Sequence, residues 1–445
     1  MEALLMFPAL FLLIFLGFPV AFSLMSVAFV FGFYTFGWAS FFQYSQKVED
    51  IAANFVLAAV PLFVFMGAML ERSGIAERLF EAVHLWTRRL PGGLAIGTII
   101  MCIIFAASTG VIGATETVVG LLAIPAMMRY NYSKSLISGT ICAGGSLGTI
   151  IPPSVVVVVL GPIADVSIGD LMVGMIFPGL VLSSLYIIYI LGICILRPQV
   201  APRIEPSDDD PDLVTKLVIT MKALIPPLLM IFAVLGSIMM GWAAPTEAAA
   251  LGALGAFILT VAYGRFSIPM FKETLIKTLT ITAMIMLILL GGNIFTGVFV
   301  GTGGMGVMRD MIEAVQLGPW ALLILFLIMI FIAGFFLEWI SILLIFVPLF
   351  MPFIREAWAA NQYGAFFDPV WFCMLLLIMI QSSYLTPPMA PAIFYLRGIA
   401  PAEITLRHMY KGVVPFLVIQ VIALAIVMAF PQLALWLPDQ LLGFK

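Results

Sequence analysis

A double proline lies inside each of two long apolar stretches, so neither stretch can run as an ordinary membrane helix. The first reads Gly144-Gly145-Ser146-Leu147-Gly148-Thr149-Ile150-Ile151-Pro152-Pro153-Ser154, and the second Gln381-Ser382-Ser383-Tyr384-Leu385-Thr386-Pro387-Pro388-Met389. Each pair deletes two backbone donors and pushes the residue before it out of helical geometry. Each stretch is therefore expected to be a helix, a break (Pro152 and Pro153, or Pro387 and Pro388), and a second helix. Irregular backbone at bilayer depth is tolerated only where protein or a watery cavity covers it. Two such breaks at corresponding places in two halves of a chain point to a transporter binding site.

The membrane setting follows from composition. Hydrophobic residues make up 63% of the 445 positions and charged residues 10%, and the mean hydropathy is +1.19, far outside the soluble range. Residues 51–70, 171–196, 224–240, 279–300, 371–385 and 413–430 each supply most or all of a crossing of roughly 20 residues. The first apolar run has no basic region before it and no small-residue cleavage site, which predicts a mature helix rather than a signal peptide. A net charge of -3 gives no sign of nucleic-acid binding. Cys102, Cys142, Cys194 and Cys373 are widely spaced in apolar sequence and read as small core hydrophobes. His84 and His408 lie beside basic residues in short polar stretches, so no histidine metal centre is expected.

The only long polar segment, residues 197–215, carries Pro198, Pro202, Pro206, Pro211 and the run Asp208-Asp209-Asp210. It predicts a first repeat over residues 1–197, a cytoplasmic linker over 198–215 and a second repeat over 216–445. Gly17-Phe18-Pro19 and the apolar helix ending at Phe36-Gly37 are echoed by Gly241 to Pro245 and the helix ending at Tyr263-Gly264. A short amphipathic piece before Pro91 is echoed by another before Pro319. Each is followed by an apolar run interrupted by small or polar residues, then by Pro125 or Pro348, then by the broken helix. Residues 1–36 also read as one long crossing. Arg72, Arg78, Arg88, Arg89, Arg129 and Lys134 flank the first interrupted run on both sides, which predicts a re-entrant hairpin entered from the cytoplasm. Arg309, Asp310, Glu313, Arg355, Glu356 and Asp368 give the second run no basic excess, so it is expected to open outward. The expected fold is thus an all-α polytopic membrane protein of two inverted repeats, each with one re-entrant hairpin and one broken helix.

Hairpin tips and breaks gather Gly, Ser and Thr with unpaired backbone carbonyls, and sodium, a hard cation, prefers oxygen ligands. Half-helix C-termini add partial negative charge, and half-helix N-termini favour an anionic solute group. Each half is expected to build one sodium site: Ser108, Thr109, Gly110, Thr115, Gly145 and Gly148 in the first; Gly334, Glu338, Ser341, Ser383 and Thr386 in the second. Thr115, Ser154, Ser382 and Thr386 are the expected solute contacts. Against this stands close helix packing, which small residues also permit. Glu116 and Glu338 are ionisable residues in apolar runs and hence functional candidates, though a carboxylate can also cap a hairpin helix; Glu247 reads as a helix cap.

Two enzyme-like patterns are set aside. Gly144 to Gly148 fits Gly-x-Ser-x-Gly, but a nucleophile elbow needs a preceding strand and an activating histidine. Gly301 to Gly306 contains Gly-x-Gly-x-x-Gly without a soluble strand-helix-strand unit, and reads as the end of a crossing and the start of a surface helix. No Walker-type phosphate loop occurs. No cofactor other than coupling sodium is expected, and no enzyme activity.

Gly113-Ala114-Thr115-Glu116, the run from Gly139 to Ser154, Pro245-Thr246-Glu247-Ala248-Ala249 and Leu385-Thr386-Pro387-Pro388 resemble the large membrane (M) subunit of tripartite ATP-independent periplasmic (TRAP) transporters. The resemblance spans essentially the whole chain. It implies a bacterial inner-membrane symporter that takes an organic acid from a periplasmic binding (P) protein and couples uptake to sodium. It also implies a separate small four-helix membrane (Q) subunit. The wider ion-transporter superfamily further implies an elevator, whose moving part would span residues 91–165 and 319–396, with surface helices near 75–89 and 304–316 as arms. Two departures stand out. Many relatives carry Asp where this chain has Glu338, and serines where it has Val111 and Ile112, whose ligands would then be backbone oxygens. A stand-alone sodium/carboxylate symporter and an intramembrane serine hydrolase using Ser146 are the alternative readings.

Overall fold

The computed structural model describes residues 2–110, 113–203, 211–360 and 365–443, and every regular element among them is helical. Seven of these helical stretches are long and apolar enough to cross a membrane. The expectations for Val111, Ile112 and Asp208 to Asp210 fall outside the described residues.

The first half runs α1 (Met6–Phe15), α2 (Val20–Phe36), α3 (Ala39–Ala52), α4 (Ala59–Arg72) and α5 (Ile75–Thr87). A helix pair, α6 (Gly93–Thr109) and α7 (Ala114–Arg129), follows, then α8 (Lys134–Ser146), α9 (Val155–Ala164), α10 (Ile168–Gly174) and α11 (Ile176–Leu196). The second half begins with α12 (Leu213–Ile231), α13 (Ser237–Met239), α14 (Pro245–Ala262), α15 (Ile268–Gly301) and α16 (Gly304–Val315). A second helix pair, α17 (Pro319–Ala333) and α18 (Trp339–Ala359), precedes α19 (Pro369–Leu385), α20 (Pro391–Ile399), α21 (Leu406–Ala429) and α22 (Gln432–Leu441).

Local chemistry sets several of these boundaries. Asp212 starts α12 by accepting from Thr215 N at 3.2 Å, so helix begins two residues before the expected end of the linker. Glu247 accepts from Ala244 N at 2.8 Å and caps α14, as its sequence context predicts. Gly301 closes α15 and Gly304 opens α16, which disposes of the dinucleotide-like pattern. Residues 1–36 are not one long crossing: the helix stops at Phe15 and restarts at Val20, because Pro19 has no N–H to continue the ladder.

Both expected breaks are present, and both contain a cis Pro-Pro peptide. After α8 the chain tightens into one 3-10 turn, Leu147–Thr149, and Ser154 is extended before α9. After α19, Thr386 is extended and Ala390 left-handed before α20. A third double proline, Pro226-Pro227, does not break its helix; α12 runs through it into a wide turn over Phe232–Gly236. Surroundings account for the first break, which is buried in protein; the second is only partly covered, with Pro388 and Met389 exposed. Most of the α12 span faces outward, where lipid offers no partner for loose backbone groups. Residues 147–155 are all buried, so protein groups can take up what the prolines release.

Packing ties the halves together reciprocally. α2 lies against α15 and α4 against α14; likewise α7 lies against α20 and α9 against α18. One body consists of α6–α9 and α17–α20, joined by α10, α11, α21 and α22: α21 packs on α8 and α19, α11 on α6, and α10 on α19. The other contains α2, α4, α14 and α15, and meets the first mainly where α4 touches α6, α7 and α9 and where α15 touches α18. At the latter contact Pro348 cannot donate to Leu344 O, and Thr296 Oγ1 of α15 donates to it instead at 3.1 Å. Arg355, at the end of α18, donates to Ala164 O at 3.0 Å and Asp165 O at 2.6 Å, satisfying carbonyls at the end of α9.

Candidate functional site

Two tips and two breaks meet around one cavity. The first tip is Gly110, which closes α6 in a left-handed conformation; Val155 N donates to its carbonyl at 3.4 Å, and it lies against the Pro153 carbonyl. Thus the end of α6 rests on the first break. The second tip repeats the arrangement: Met389 N donates to Phe335 O at 3.3 Å, and a Cβ on Gly334 would stand 3.0 Å from Ser383 Cβ.

A cavity of about 170 Å³ lies at this junction. The first half supplies Gly110, Val155 and Val156; the second supplies Glu338, Ser383, Tyr384 and Tyr395. Val64 of α4 and Ile281, Met284 and Ile285 of α15 close it from the other body. The cavity is therefore walled by both halves and both bodies. Trp339, Ile340 and Pro391 complete its lining, and Pro388 and Met389 of the second break are exposed, whereas Pro152 and Pro153 are buried.

Of the expected ion ligands, Gly110, Glu338 and Ser383 line the cavity. Ser108, Thr109 and Ser341 are fully buried near the tips, and Gly334 lies against Ser383. Ser108 and Thr109 donate to Ile104 O and Phe105 O, which leaves their oxygen lone pairs as acceptors. Ser341 Oγ has no hydrogen-bond partner, a costly state for a buried hydroxyl. Gly145 lies under the Glu116 carboxyl, away from the cavity lining, and Gly148 lies in the 3-10 turn. Thr115 is buried and engaged.

Among the expected solute contacts, Ser154 spans the first break by donating to Thr149 O at 3.1 Å. Ser382 donates to Met379 O at 2.7 Å, and Thr386 to Ser382 O. None of the three lines the cavity itself; each shapes the break beside it. Sequence reasoning passed over Tyr384, Tyr395 and Trp339, although Tyr384 stood inside the quoted diproline run. Tyr384 OH and both polar atoms of Gln381 are buried without partners. Gly113 has no room for a side chain because the Tyr395 ring is against it, with a Cβ landing 2.9 Å from Cε2.

Ser146 is not held as a nucleophile. It ends α8, is flanked by helix and donates to Ala143 O at 2.9 Å. His408 Nδ1 accepts from Thr405 N, and His84 stacks on Phe80, its pKa lowered by burial and then by Arg88. All four cysteines are free and buried, and no cluster of metal-ligating side chains occurs among the described residues.

Residues 7–433 match the family model described as "Tripartite ATP-independent periplasmic transporter, DctM component". The C4-dicarboxylate TRAP transporter large permease protein DctM of Pseudomonas aeruginosa is 30% identical over 89% of each chain. The sialic acid TRAP transporter large permease protein SiaM of Vibrio cholerae is 30% identical over 97% of each. An isethionate TRAP transporter permease protein DctMQ of Oleidesulfovibrio alaskensis is 27% identical over 86% of this chain and 58% of its own greater length. Among solved structures, the YdaH transporter of Alcanivorax borkumensis shares the fold with a TM-score of 0.62 over 88% of each chain at 14% identity.

Proposed function

The chain belongs to the DctM component family of tripartite ATP-independent periplasmic transporters, as a multi-pass large permease of the bacterial inner membrane, and on that premise we propose that it carries out sodium-coupled uptake of an organic acid by an elevator movement. The observation that carries the proposal is the cavity in which both tips and both breaks meet α4 and α15.

The reciprocal packing of α2 on α15 with α4 on α14, and of α7 on α20 with α9 on α18, supports two inverted repeats. In that reading α6–α7 and α17–α18 are the re-entrant hairpins. Glu338 and the orphaned Ser341 hydroxyl support a sodium site in the second half. Sodium binds first and orders the tips. It offsets the partial charge of the half-helix ends and leaves a positive locus for a solute carboxylate. The C4-dicarboxylate and sialic acid relatives support an acidic solute.

The moving body comprises α6–α9 and α17–α20 and extends beyond the sequence-based limits to α10, α11, α21 and α22, because these pack on its core. Around the cavity its contacts with α4 and α15 are apolar, through Val64, Ile281, Met284 and Ile285, which favours sliding; the Thr296 to Leu344 O bond is the directional contact that such a movement breaks. Exposure of Pro388 and Met389 supports access from the side of the second break. One net charge moved across 100 mV is worth about 2.3 kcal/mol, so two or more sodium ions per solute would drive accumulation without ATP.

A small membrane subunit and a periplasmic binding protein complete the transporter; the relatives' names, which call them large permeases of TRAP transporters, support such partners. Proteoliposomes holding the chain with its small subunit test the assignment. Uptake is expected only when solute-loaded binding protein is added; equal uptake of free solute would favour the stand-alone symporter. Ser146→Ala separates off the hydrolase reading. Its uptake is expected to stay within about fivefold of wild type, since one hydroxyl bonded to its own helix contributes about 1 kcal/mol or less, whereas a nucleophile's loss abolishes turnover.

A further inference from the structure

Glu116 sits at the start of α7, one residue beyond Thr115, and is fully buried. One oxygen is accounted for: Oε2 accepts from Gly113 N at 2.6 Å, which fixes the turn leading into α7. The other, Oε1, has no hydrogen-bond partner. No ion pair to Glu116 is formed among the described residues. A buried carboxylate with one bare oxygen is costly unless a positive charge, a bound cation or a proton, meets it.

The position of that oxygen narrows what the charge is. Glu116 lies against Gly145 in the last turn of α8, where an added Cβ would stand 2.7 Å from Oε1. α8 ends one residue later, at Ser146, so the negative pole of a half-helix approaches the carboxylate. Two negative features without a basic side chain between them favour a small hard cation with oxygen ligands. The absence of a side chain on Gly145 gives the Glu116 carboxyl the room it occupies against α8.

We propose that Glu116 ligates the coupling cation of the first half through Oε1, while its Oε2 bond to Gly113 N transmits occupancy to the tip of the first hairpin. This rests on the sodium-coupled reading and adds to it an anionic ligand in the first half. Glu338 contributes in the second, so each half carries one carboxylate at the start of its second hairpin helix. The two sites then differ in setting. Glu116 is sealed beside α8, and Glu338 opens on the solute cavity.

The test uses Glu116→Gln in the complex with the small subunit. Glutamine keeps the volume and an acceptor for Gly113 N but removes the charge. Two readouts are taken: sodium-dependent thermal stabilisation of the purified complex, and the sodium half-saturation of uptake in proteoliposomes. Loss of a charge-assisted ligand is expected to raise both half-saturation values by about tenfold or more, with the solute KM at saturating sodium within about twofold of wild type. Wild-type sodium dependence in Glu116→Gln would leave Glu116 as a structural cap and overturn the assignment. If Glu116→Gln does not fold, Glu116→Asp, which keeps charge but retracts the carboxylate, is expected to weaken sodium affinity without changing cooperativity; unchanged affinity overturns the proposal. A wild-type complex indifferent to sodium in both readouts would instead remove the coupled reading on which this one depends.

Discussion

Gly110→Ala is expected to cut uptake by about two orders of magnitude while leaving the chain folded, the loss corresponding to roughly 3 kcal/mol of strain and broken contact at the first tip. Gly110 has φ +60°, a conformation that costs an L-residue side chain about 1 kcal/mol. The greater part of the loss is steric. An added Cβ would stand 2.7 Å from the Pro153 carbonyl oxygen, a backbone atom that cannot swing aside. Relief requires the tip to leave the first break, breaking the Val155 N to Gly110 O bond and opening the cavity wall. Gly306→Ala is the control, because nothing lies within 4 Å of a Cβ there and its φ is ordinary; its uptake is expected to match wild type. Equal activity of the two variants would show that the tip need not rest on the break.

Gly412→Leu is expected to have the largest effect on stability. Gly412 of α21 and Gly139 of α8 bring their backbones into contact: a Cβ on Gly412 would stand 2.9 Å from Gly139 N and collide with Ser135 O, and one on Gly139 would meet the Gly412 carbonyl. Neither helix can yield a side chain's width without unpacking, and such overpacking costs about 3 kcal/mol or more. Fluorescence-detected size exclusion is expected to show aggregated or absent complex, or a melting point far below wild type. A monodisperse variant of unchanged melting point would contradict the close α8–α21 contact and, with it, the inclusion of α21 in the body proposed to move.

Much of this architecture was legible in the sequence because proline and glycine report on backbone directly. Pro152, Pro153, Pro387 and Pro388 located both breaks to within a few residues, and Gly301 with Gly304 marked a helix boundary. The same reasoning carries over poorly to Pro226 and Pro227, since proline states only what the backbone lacks, and α12 runs straight through that pair. Partner choice was illegible for a related reason. Nothing local to Thr296 says that it will donate to a carbonyl freed by Pro348, far along the chain. Tyr384 and Tyr395 were missed because a helical tyrosine looks alike in sequence whether it faces core or cavity. Small polar residues were easier: Gly110, Glu338 and Ser383, which line the cavity, were singled out because clusters of them beside helix breakers recur in the same order in both halves.

The coupling itself is open to direct measurement. In proteoliposomes containing the complex and supplied with loaded binding protein, labelled sodium and labelled solute are followed together while an inside-negative potential is imposed. The account predicts that sodium enters with solute in a fixed ratio above one, and that replacing it with potassium stops solute accumulation. Undiminished solute entry without any accompanying sodium would contradict it.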